Sequence, residues 1–592
     1  MIALRGLFCA GVFATTAAAA MRLFHILRVD GLTNSETIFL ILVTILFAWI
    51  SISFWIALFG ALARHGGVTY SALVEPGGTD PHLRRSRART AILFPVRNEE
   101  LGRLFSGIGA VAENICASGL AERFDIFILS DSTGDDMIGA ERHATVRLRA
   151  ATAVNVYYRN RTDNGGRKSG NIADFCRNWG ARYDYMVVLD ADSLMTAKTL
   201  AQLVRLMDAN PNAALIQTSP VLVGRDSVFA RMQQFASSVY GPLFSSGLAV
   251  LLGEGGNYWG HNAIIRIRPF MQCCGLPRLR GPAPFGGEIL SHDFVEAALL
   301  RRAGWGVHMA ADLGGSYEEP PTTLTDYLKR DRRWCQGNLQ HLPLVFAQRF
   351  RAESRWHLAT GVMSYVSSPL WLVLILISAT VVLQQHHIAP VQFFGRYPVL
   401  SWPISNSAAF AALTGAMALL LLAPKALALV LAICDPLARR SHGGAIALTL
   451  GVLLETLFSM LFAPIAMLSH SHFVARSLAG KTGGWNSQQR SEHRQSWTAL
   501  ISAFAPHTFA AAVAALLVYR YIPGSVWWFA PILTGPLLSI PLGAFSASVR
   551  LGLRMKCWRI FITPAEMGMV PITERVRPAA TAGPAAAVPV ND

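Results

Sequence analysis

Long apolar runs at both ends of the chain flank a middle stretch in which short apolar runs alternate with polar turns. About 18 consecutive apolar residues suffice to cross a bilayer. The first such run covers 6–27 and is interrupted near its end by Arg22 and His25. Its basic start and the small residues from Thr16 to Ala20 also fit a cleavable signal peptide; we read it as an uncleaved span. The second, 37–63, is followed by Arg64 and by Arg84, Arg85, Arg87 and Arg89. A basic flank of this kind marks the cytoplasmic end of a span.

The apolar character returns at 359–383 and at 407–423, on either side of a polar segment that begins Gln384, Gln385, His386, His387. The stretch 443–468 contains Glu455 and Pro464. Arg439 and Arg440 precede it, and Arg476, Lys481, Arg490 and Arg494 follow. Two basic flanks argue for an interfacial or re-entrant element over a single crossing, with a true span as the alternative. Two more spans are expected at 499–519 and 526–546, then a basic tail with Arg550, Arg554, Lys556 and Arg559. The final AATAGPAAAVPVND is of low complexity and expected to be disordered. This divides the chain into membrane helices (1–64), a basic linker (65–89), a cytoplasmic domain (90–355), a second membrane region (356–548) and a tail (549–592).

Within the middle stretch, Ala91 to Phe94 reads as a strand closed by a proline, and DIFILS as a second strand ending at Asp131. A third strand, Val154 to Tyr158, precedes the basic glycine loop NRTDNGGRKSGN and a helix from Ile172 to Arg182. A fourth, YMVVLDADS, ends in Asp190 and Asp192. Strands alternating with helices predict a parallel α/β sheet. Nucleotides bind at the carboxyl ends of such strands.

Composition supports this division. Hydrophobic residues make up 52% of the 592 and charged ones only 15%, against roughly 25% charged in soluble proteins. The net charge of +16 then points to cytoplasmic loops and anionic lipid rather than nucleic acid. The eight cysteines include no CxxC pair, which favours free thiols over disulfides or a zinc site.

Several residues carry candidate chemistry. Asp190 and Asp192 at a strand end can hold Mg²⁺ together with phosphate oxygens; taken singly, the pair also reads as a turn. Lys168, among Gly165, Gly166 and Gly170, suits a phosphate or a plain basic loop. No P-loop motif is present. Asp293 falls near a helix start, where it serves the helix dipole or acts as a general base. Arg330, Arg333 and Trp334 share a helix face between Tyr327 and Gln340, a pattern suited to a sugar beside a diphosphate or to an ordinary basic face.

In order, Asp131, Asp190-Ala191-Asp192, Ser291-His292-Asp293 and Arg330-Asp331-Arg332-Arg333-Trp334 resemble the motifs of family 2 glycosyltransferases of the cellulose-synthase type. Two departures narrow the match: Ser291-His292 stands for Thr-Glu, and Arg330 for the motif glutamine. With FPVRNEE, SDSTGDD, GRKSGNIADFCRNWG, GEGGNYWGHNAIIR and WNSQQR, the chain is similar to the bacterial glucosyltransferases of osmoregulated periplasmic glucan synthesis. The resemblance implies an α/β GT-A-type (Rossmann-like) cytoplasmic glycosyltransferase domain inserted between α-helical transmembrane segments of the Gram-negative inner membrane. It implies UDP-glucose as donor, a growing β-linked (largely 1,2) glucan chain as acceptor and Mg²⁺ or Mn²⁺ as cofactor. A periplasmic glucan-processing protein and acyl carrier protein are implied partners.

By the same resemblance, Asp131 and the turn with Pro95, Asn98 and Glu99 would hold the uridine, and Lys168 would face the diphosphate. Asp190 and Asp192 would bind UDP and metal, and Asp293 would be the base. Arg330, Arg333 and Trp334 would support the leaving UDP and the acceptor end. His261 and Asn262 would lie near the acceptor, Tyr365 and Trp371 could stack on an exported chain, and Trp485 to Arg490, within 478–497, would gate the donor site. The competing readings are another polysaccharide synthase (cellulose, chitin or hyaluronan type), a lipid-directed sugar transferase and a non-catalytic UDP-sugar sensor.

Overall fold

The computed structural model describes residues 2–28, 31–66, 73, 88–386, 391–394, 397–400, 407–481, 492, 495–570 and 572–573. Two apolar helices come first, α1 (Ile2–Leu27) and α2 (Asn34–His65). Thr33 and Glu36 close the start of α2 with a reciprocal capping box.

A domain built on one sheet follows. Its elements are β1 (Thr90–Val96), α3 (Leu101–Ala117), β2 (Phe124–Ser130), α4 (Asp135–Ala151), β3 (Asn155–Asn160), α5 (Arg167–Trp179) and β4 (Tyr185–Val188). Then come β5 (Leu194–Met195), α6 (Ala197–Ala209), β6 (Ala213–Thr218), β7 (Val221–Leu222), α7 (Val228–Leu252), β8 (Ala263–Arg266), α8 (Ile267–Cys273), α9 (His292–Arg302), β9 (Gly306–Ala310), β10 (Ser316–Glu318) and α10 (Leu324–Leu339). The strand order is β3-β2-β1-β4-β8-β6-β9, with a small second sheet β5-β10-β7. Alternate residues of β1 enter different cores. Ile92 and Phe94 pack with Leu104 and Leu200, whereas Ala91 and Leu93 pack with Phe175 and Ala297. Burial on both faces explains why the central strands read as continuous apolar runs.

The predicted parallel sheet holds for β3, β2, β1 and β4, but β8 runs antiparallel to both β4 and β6. The 25-residue α7 carries the chain away from the sheet. The chain returns at the carboxyl end of β4, where the Asn262 amide donates to the Val188 carbonyl at 2.7 Å. Two local readings also shift. β1 continues through Pro95 to Val96, and Lys168 lies in the first turn of α5 rather than in a loop.

The second apolar region contains α11 (Ala352–His386), α12 (Ser407–Cys434), α13 (Pro436–Ser441), α14 (Ala445–Leu478), α15 (Trp497–Tyr521), α16 (Val526–Leu537), α17 (Ser539–Ser546) and α18 (Val549–Cys557). Among the described residues, seven helices are long and apolar enough to cross a membrane: α1, α2, α7, α11, α12, α14 and α15. The α16–α17 pair, bent by 55°, passes the same test jointly. Half of the apolar window of α7 is buried inside the protein.

The segment 443–468, expected to be interfacial or re-entrant, belongs to the unbroken 34-residue α14. Glu455 is accommodated there because Lys425 (2.7 Å), Tyr240 (2.8 Å) and Ser459 (2.5 Å) all donate to its carboxylate. An intramembrane carboxylate satisfied in this way need not end a helix.

The chain then folds back onto the first domain. Val570 and Ile572 join the core under β1. Glu566 meets the fully buried Arg231 of α7, whose Nη2 also donates to the Ile560 and Phe561 carbonyls at 3.2 and 3.1 Å. The expected disordered end, 574–592, and the expected gating residues Trp485 to Arg490 lie outside the described residues, as does most of the basic linker.

Removing one partner of a buried ion pair strands the other. Glu566→Ala should therefore destabilise the detergent-solubilised protein by about 3–5 kcal/mol, seen as a lower thermal midpoint. Lys556→Ala, at the partly exposed 3.5 Å edge of the same carboxylate, should cost less than about 1 kcal/mol.

Candidate active site

The carboxyl ends of β1, β2 and β4 are held level by backbone bonds that continue the ladder. The Asp131 amide donates to the Val96 carbonyl at 2.8 Å, and the Leu189 amide to the Leu93 carbonyl at 2.9 Å. Above this rim lies a cavity of about 440 Å³. Pro95, Glu99, Asp131, Lys168, Asp190, Asp192, His261, Arg330, Arg333 and Trp334, all singled out from sequence, line it. Asn98, Asn262 and Asp293 do not. Asn98 instead joins the ends of β1 and β2: its amide N–H donates to Ser132 Oγ at 2.7 Å and its Oδ1 accepts from the Thr133 amide at 3.0 Å. Asn262, fully buried, braces β10 through Ser316 Oγ at 2.8 Å and the Tyr317 carbonyl at 3.2 Å.

Asp293 reaches the same place through Gly260. The Gly260 carbonyl accepts from Lys168 Nζ at 2.8 Å and from the Tyr258 hydroxyl at 2.8 Å. Lys168 Nζ also bonds Asp190 Oδ1. On the other side of Gly260, a Cβ would sit 3.2 Å from Asp293 Oδ2. The residue has φ +86°, a conformation glycine adopts without strain. One glycine thus places the ammonium, Asp190 and the Asp293 carboxylate side by side. Asp293 occupies the first turn of α9, and its carboxylate makes no hydrogen bond or ion pair among the described residues.

The other carboxylates are engaged. Both oxygens of Asp131 are taken by Arg161, at 2.5 and 2.7 Å. Behind it, buried Glu141 collects hydroxyls from Ser130 (2.7 Å), Ser132 (2.6 Å) and Tyr158 (2.8 Å). Glu319 on the cavity wall pairs with Arg103 and with Arg225 at 3.0 Å. His261 Nε2 faces Glu318 Oε2 at 3.2 Å. Burial would lower the His261 pKa, but Glu318 and Asp190 outweigh it and hold the imidazole above its usual value. Complete burial, with Glu296, Asp293 and Asp190 nearby, keeps the Tyr258 hydroxyl protonated far above the usual phenol range.

Helix α10 supplies the opposite wall. The Arg330 guanidinium lies 4.3 Å from the Trp334 ring centroid, a cation–π contact that leaves the indole 47% exposed at the cavity. Asp331, on the buried face, meets α14 through His470 Nε2 at 2.9 Å. Tyr365, expected to meet an exported chain, is itself buried, its ring 5.3 Å from that of His470.

Asp190 and Asp192 offer two carboxylates on one wall. No group of three or more His, Cys, Asp or Glu is placed to hold a metal among the described residues. That donor set fits Mg²⁺ or Mn²⁺ completed by diphosphate oxygens and water, which is how Mg²⁺ is commonly held in phosphoryl sites.

Sequence reasoning missed Arg161, Gly260, Glu318 and Glu319. Gly260 had a visible signal, the run GEGGNYWG just before an apolar strand. Glu318 ends, and Glu319 follows, a strand of only three residues, too short to recognise from pattern.

Residues 92–273 match the model of glycosyl transferase family 2, and residues 185–430 that of glycosyl transferase family group 2. The chain is 44% identical over 543 residues to the glucans biosynthesis glucosyltransferase H of Pseudomonas entomophila, covering 90% of this chain and 63% of that protein. It is also 44% identical over 538 residues to the protein of the same name from Pseudomonas syringae pv. tomato, covering 90% and 62%. The chain thus spans less than two thirds of the length of these relatives. A solved mannosyltransferase from Pyrobaculum calidifontis, in complex with GDP-mannose and Mn²⁺, aligns with 76% of this chain and 100% of its own at a TM-score of 0.43 and 14% identity, a likeness too slight to argue from.

An L side chain at a positive φ costs roughly 1–2 kcal/mol. Gly260→Ala should lower the unfolding free energy by about that amount and also crowd Asp293. Gly102→Ala, with open space around its Cβ, should stay within about 1 kcal/mol of the parent. Chemical unfolding of the two variants checks both.

Proposed function

We propose that this chain, whose residues 92–273 match the model of glycosyl transferase family 2 and 185–430 that of glycosyl transferase family group 2, polymerises glucose from UDP-glucose into a β-linked, largely 1,2, glucan backbone. The observation that carries this reading is the meeting at Gly260 of Lys168, Asp190 and Asp293, beside a cavity whose far wall is Arg330, Arg333 and Trp334. The names of the relatives support glucose and glucan. The donor nucleotide and the linkage come from the resemblance of the sequence motifs.

The reaction is a single displacement. Asp293, whose carboxylate forms no ion pair among the described residues, takes the proton of an acceptor hydroxyl. The freed oxygen attacks the anomeric carbon of UDP-α-glucose opposite the UDP, so the new bond is β. Lys168, Arg330 and Arg333 face the diphosphate and offset the charge that builds on it as the bond to UDP breaks. Mg²⁺ or Mn²⁺ held by Asp190 and Asp192 would share that charge. The Trp334 indole offers a flat apolar face for the acceptor pyranose.

In this proposal the domain lies on the cytoplasmic side of a Gram-negative inner membrane, as the basic residues after α2 favour. The apolar helices would pass the chain outward. A periplasmic glucan-processing protein and acyl carrier protein are partners that the family resemblance suggests.

The test uses membranes carrying the full chain, labelled UDP-glucose and Mg²⁺, with linkage analysis of the water-soluble product. We expect a β-1,2-glucan that chelation of the metal abolishes. Asp293→Asn should lower its rate at least about 100-fold while UDP binding persists. A β-1,4 product would overturn the glucan assignment, and full activity in Asp293→Asn would overturn the base.

A further inference from the structure

Two cavity residues, Glu318 and the His261 that the resemblance places near the acceptor, take no step in the reaction above. Glu318 ends β10 and His261 precedes β8, 57 positions apart in sequence, yet His261 Nε2 and Glu318 Oε2 face each other at 3.2 Å on the cavity wall. Their protonation follows from the network around them. Both amide hydrogens of Asn262 are directed to Ser316 Oγ and the Tyr317 carbonyl, so Oδ1 is the atom that meets His261 Nδ1 at 3.1 Å. Nδ1 therefore carries a hydrogen and donates. Whatever proton lies between Nε2 and Glu318 is then shared by the two: imidazolium with carboxylate, or neutral imidazole with carboxylic acid. Either way the pair is neutral as a whole.

A neutral pair of this kind is poorly suited to a diphosphate, which the carboxylate would repel, and the cavity has Lys168, Arg330 and Arg333 for that purpose. It is also not drawn into a metal cluster among the described residues. It is well suited to sugar hydroxyls, because a carboxylate accepts two hydrogen bonds while the imidazole fixes its orientation. Its location is equally specific. His261 directly follows Gly260, against which the Asp293 carboxylate lies, and Arg330, stacked on Trp334, is among the charges acting on Glu318. The pair stands between the base and the aromatic wall.

We propose that Glu318, oriented by His261, binds the acceptor-sugar hydroxyls that do not react and thereby selects the hydroxyl presented to Asp293. This rests on the glucan-polymerising reading and adds to it the residues that set the linkage. Glu318 is then a specificity-determining residue, and His261 and Asn262 position it.

The test uses the full chain reconstituted in lipid, with Glu318→Gln and His261→Gln as separate variants. Three quantities are read: UDP affinity, release of glucose from UDP-glucose into water, and transfer to a short β-1,2-glucan with linkage analysis. The expected result is UDP affinity and water hydrolysis within about twofold of wild type, transfer reduced roughly 10- to 100-fold, as for loss of a hydrogen bond to a charged group, and a product of mixed linkage. Loss of UDP affinity in step with transfer in both variants would overturn the proposal by assigning the pair to the donor. So would wild-type transfer with a single linkage. A wild-type protein that transfers no glucose from UDP-glucose would instead overturn the function on which the proposal rests, a failure visible before either variant is made.

Discussion

The site depends on a backbone conformation that glycine alone adopts at little cost. At Gly260 the chain turns with positive φ, so that its carbonyl accepts from Lys168 and Tyr258 while its α-carbon lies against Asp293. Groups from four parts of the sequence are fixed relative to one atom group of the main chain. The turn is possible because β8 runs against β4 and β6 and so enters the sheet at the end where the other central strands finish. Had β8 been parallel, its leading residues would have emerged at the opposite edge of the sheet. The antiparallel strand is thus what carries Gly260, His261 and Asn262 to the cavity.

The second organising constraint is charge. Seven carboxylates line the cavity or its rim, and a partly buried carboxylate is costly unless it is matched. The structure matches most of them individually: Asp131 with Arg161, Asp190 with Lys168, Glu319 with Arg103 and Arg225, Glu318 with His261. Asp293 is the contrast, a carboxylate at the start of a helix and without an ion pair among the described residues.

Much of this was legible in the sequence. The strand ends at Asp131 and Asp190 follow from apolar runs closed by polar residues, and ten of the singled-out residues line one cavity. What was not legible has physical causes. Strand direction is set by how far α7 carries the chain before it returns, which local pattern does not encode. The Arg161–Asp131 and His261–Glu318 pairs join residues from different strands, and no spacing rule relates them. Asn98, expected at the uridine turn, and Asn262, expected near the acceptor, do not line the cavity; they have positive φ and bond to neighbouring loops. Glu455 argued against a membrane-spanning helix only because its partners, Lys425 and Tyr240, lie on two other helices.

The two walls of the cavity are fastened to different bodies. Asp190 follows β4 and Gly260 precedes β8, two strands bonded on both sides, and Lys168 of α5 is bonded to both residues. The helix α10, with Arg330 and Trp334, is tied instead to the apolar helices, through Asp331 to His470 of α14 and through its capping Thr323 to Gln495 just before α15. Helix α7, which leads into the Gly260 turn, is tied to the same region through Tyr240 and Glu455. A shift of α14 would therefore act on α10 through Asp331 and move the acceptor wall. Under the proposed function this is a mechanical requirement: after each transfer the product must advance toward the membrane while the donor wall stays in place for the next nucleotide. Fastening the acceptor wall to the helices that the product would traverse, and the donor wall to the rigid sheet, separates those two demands within one cavity.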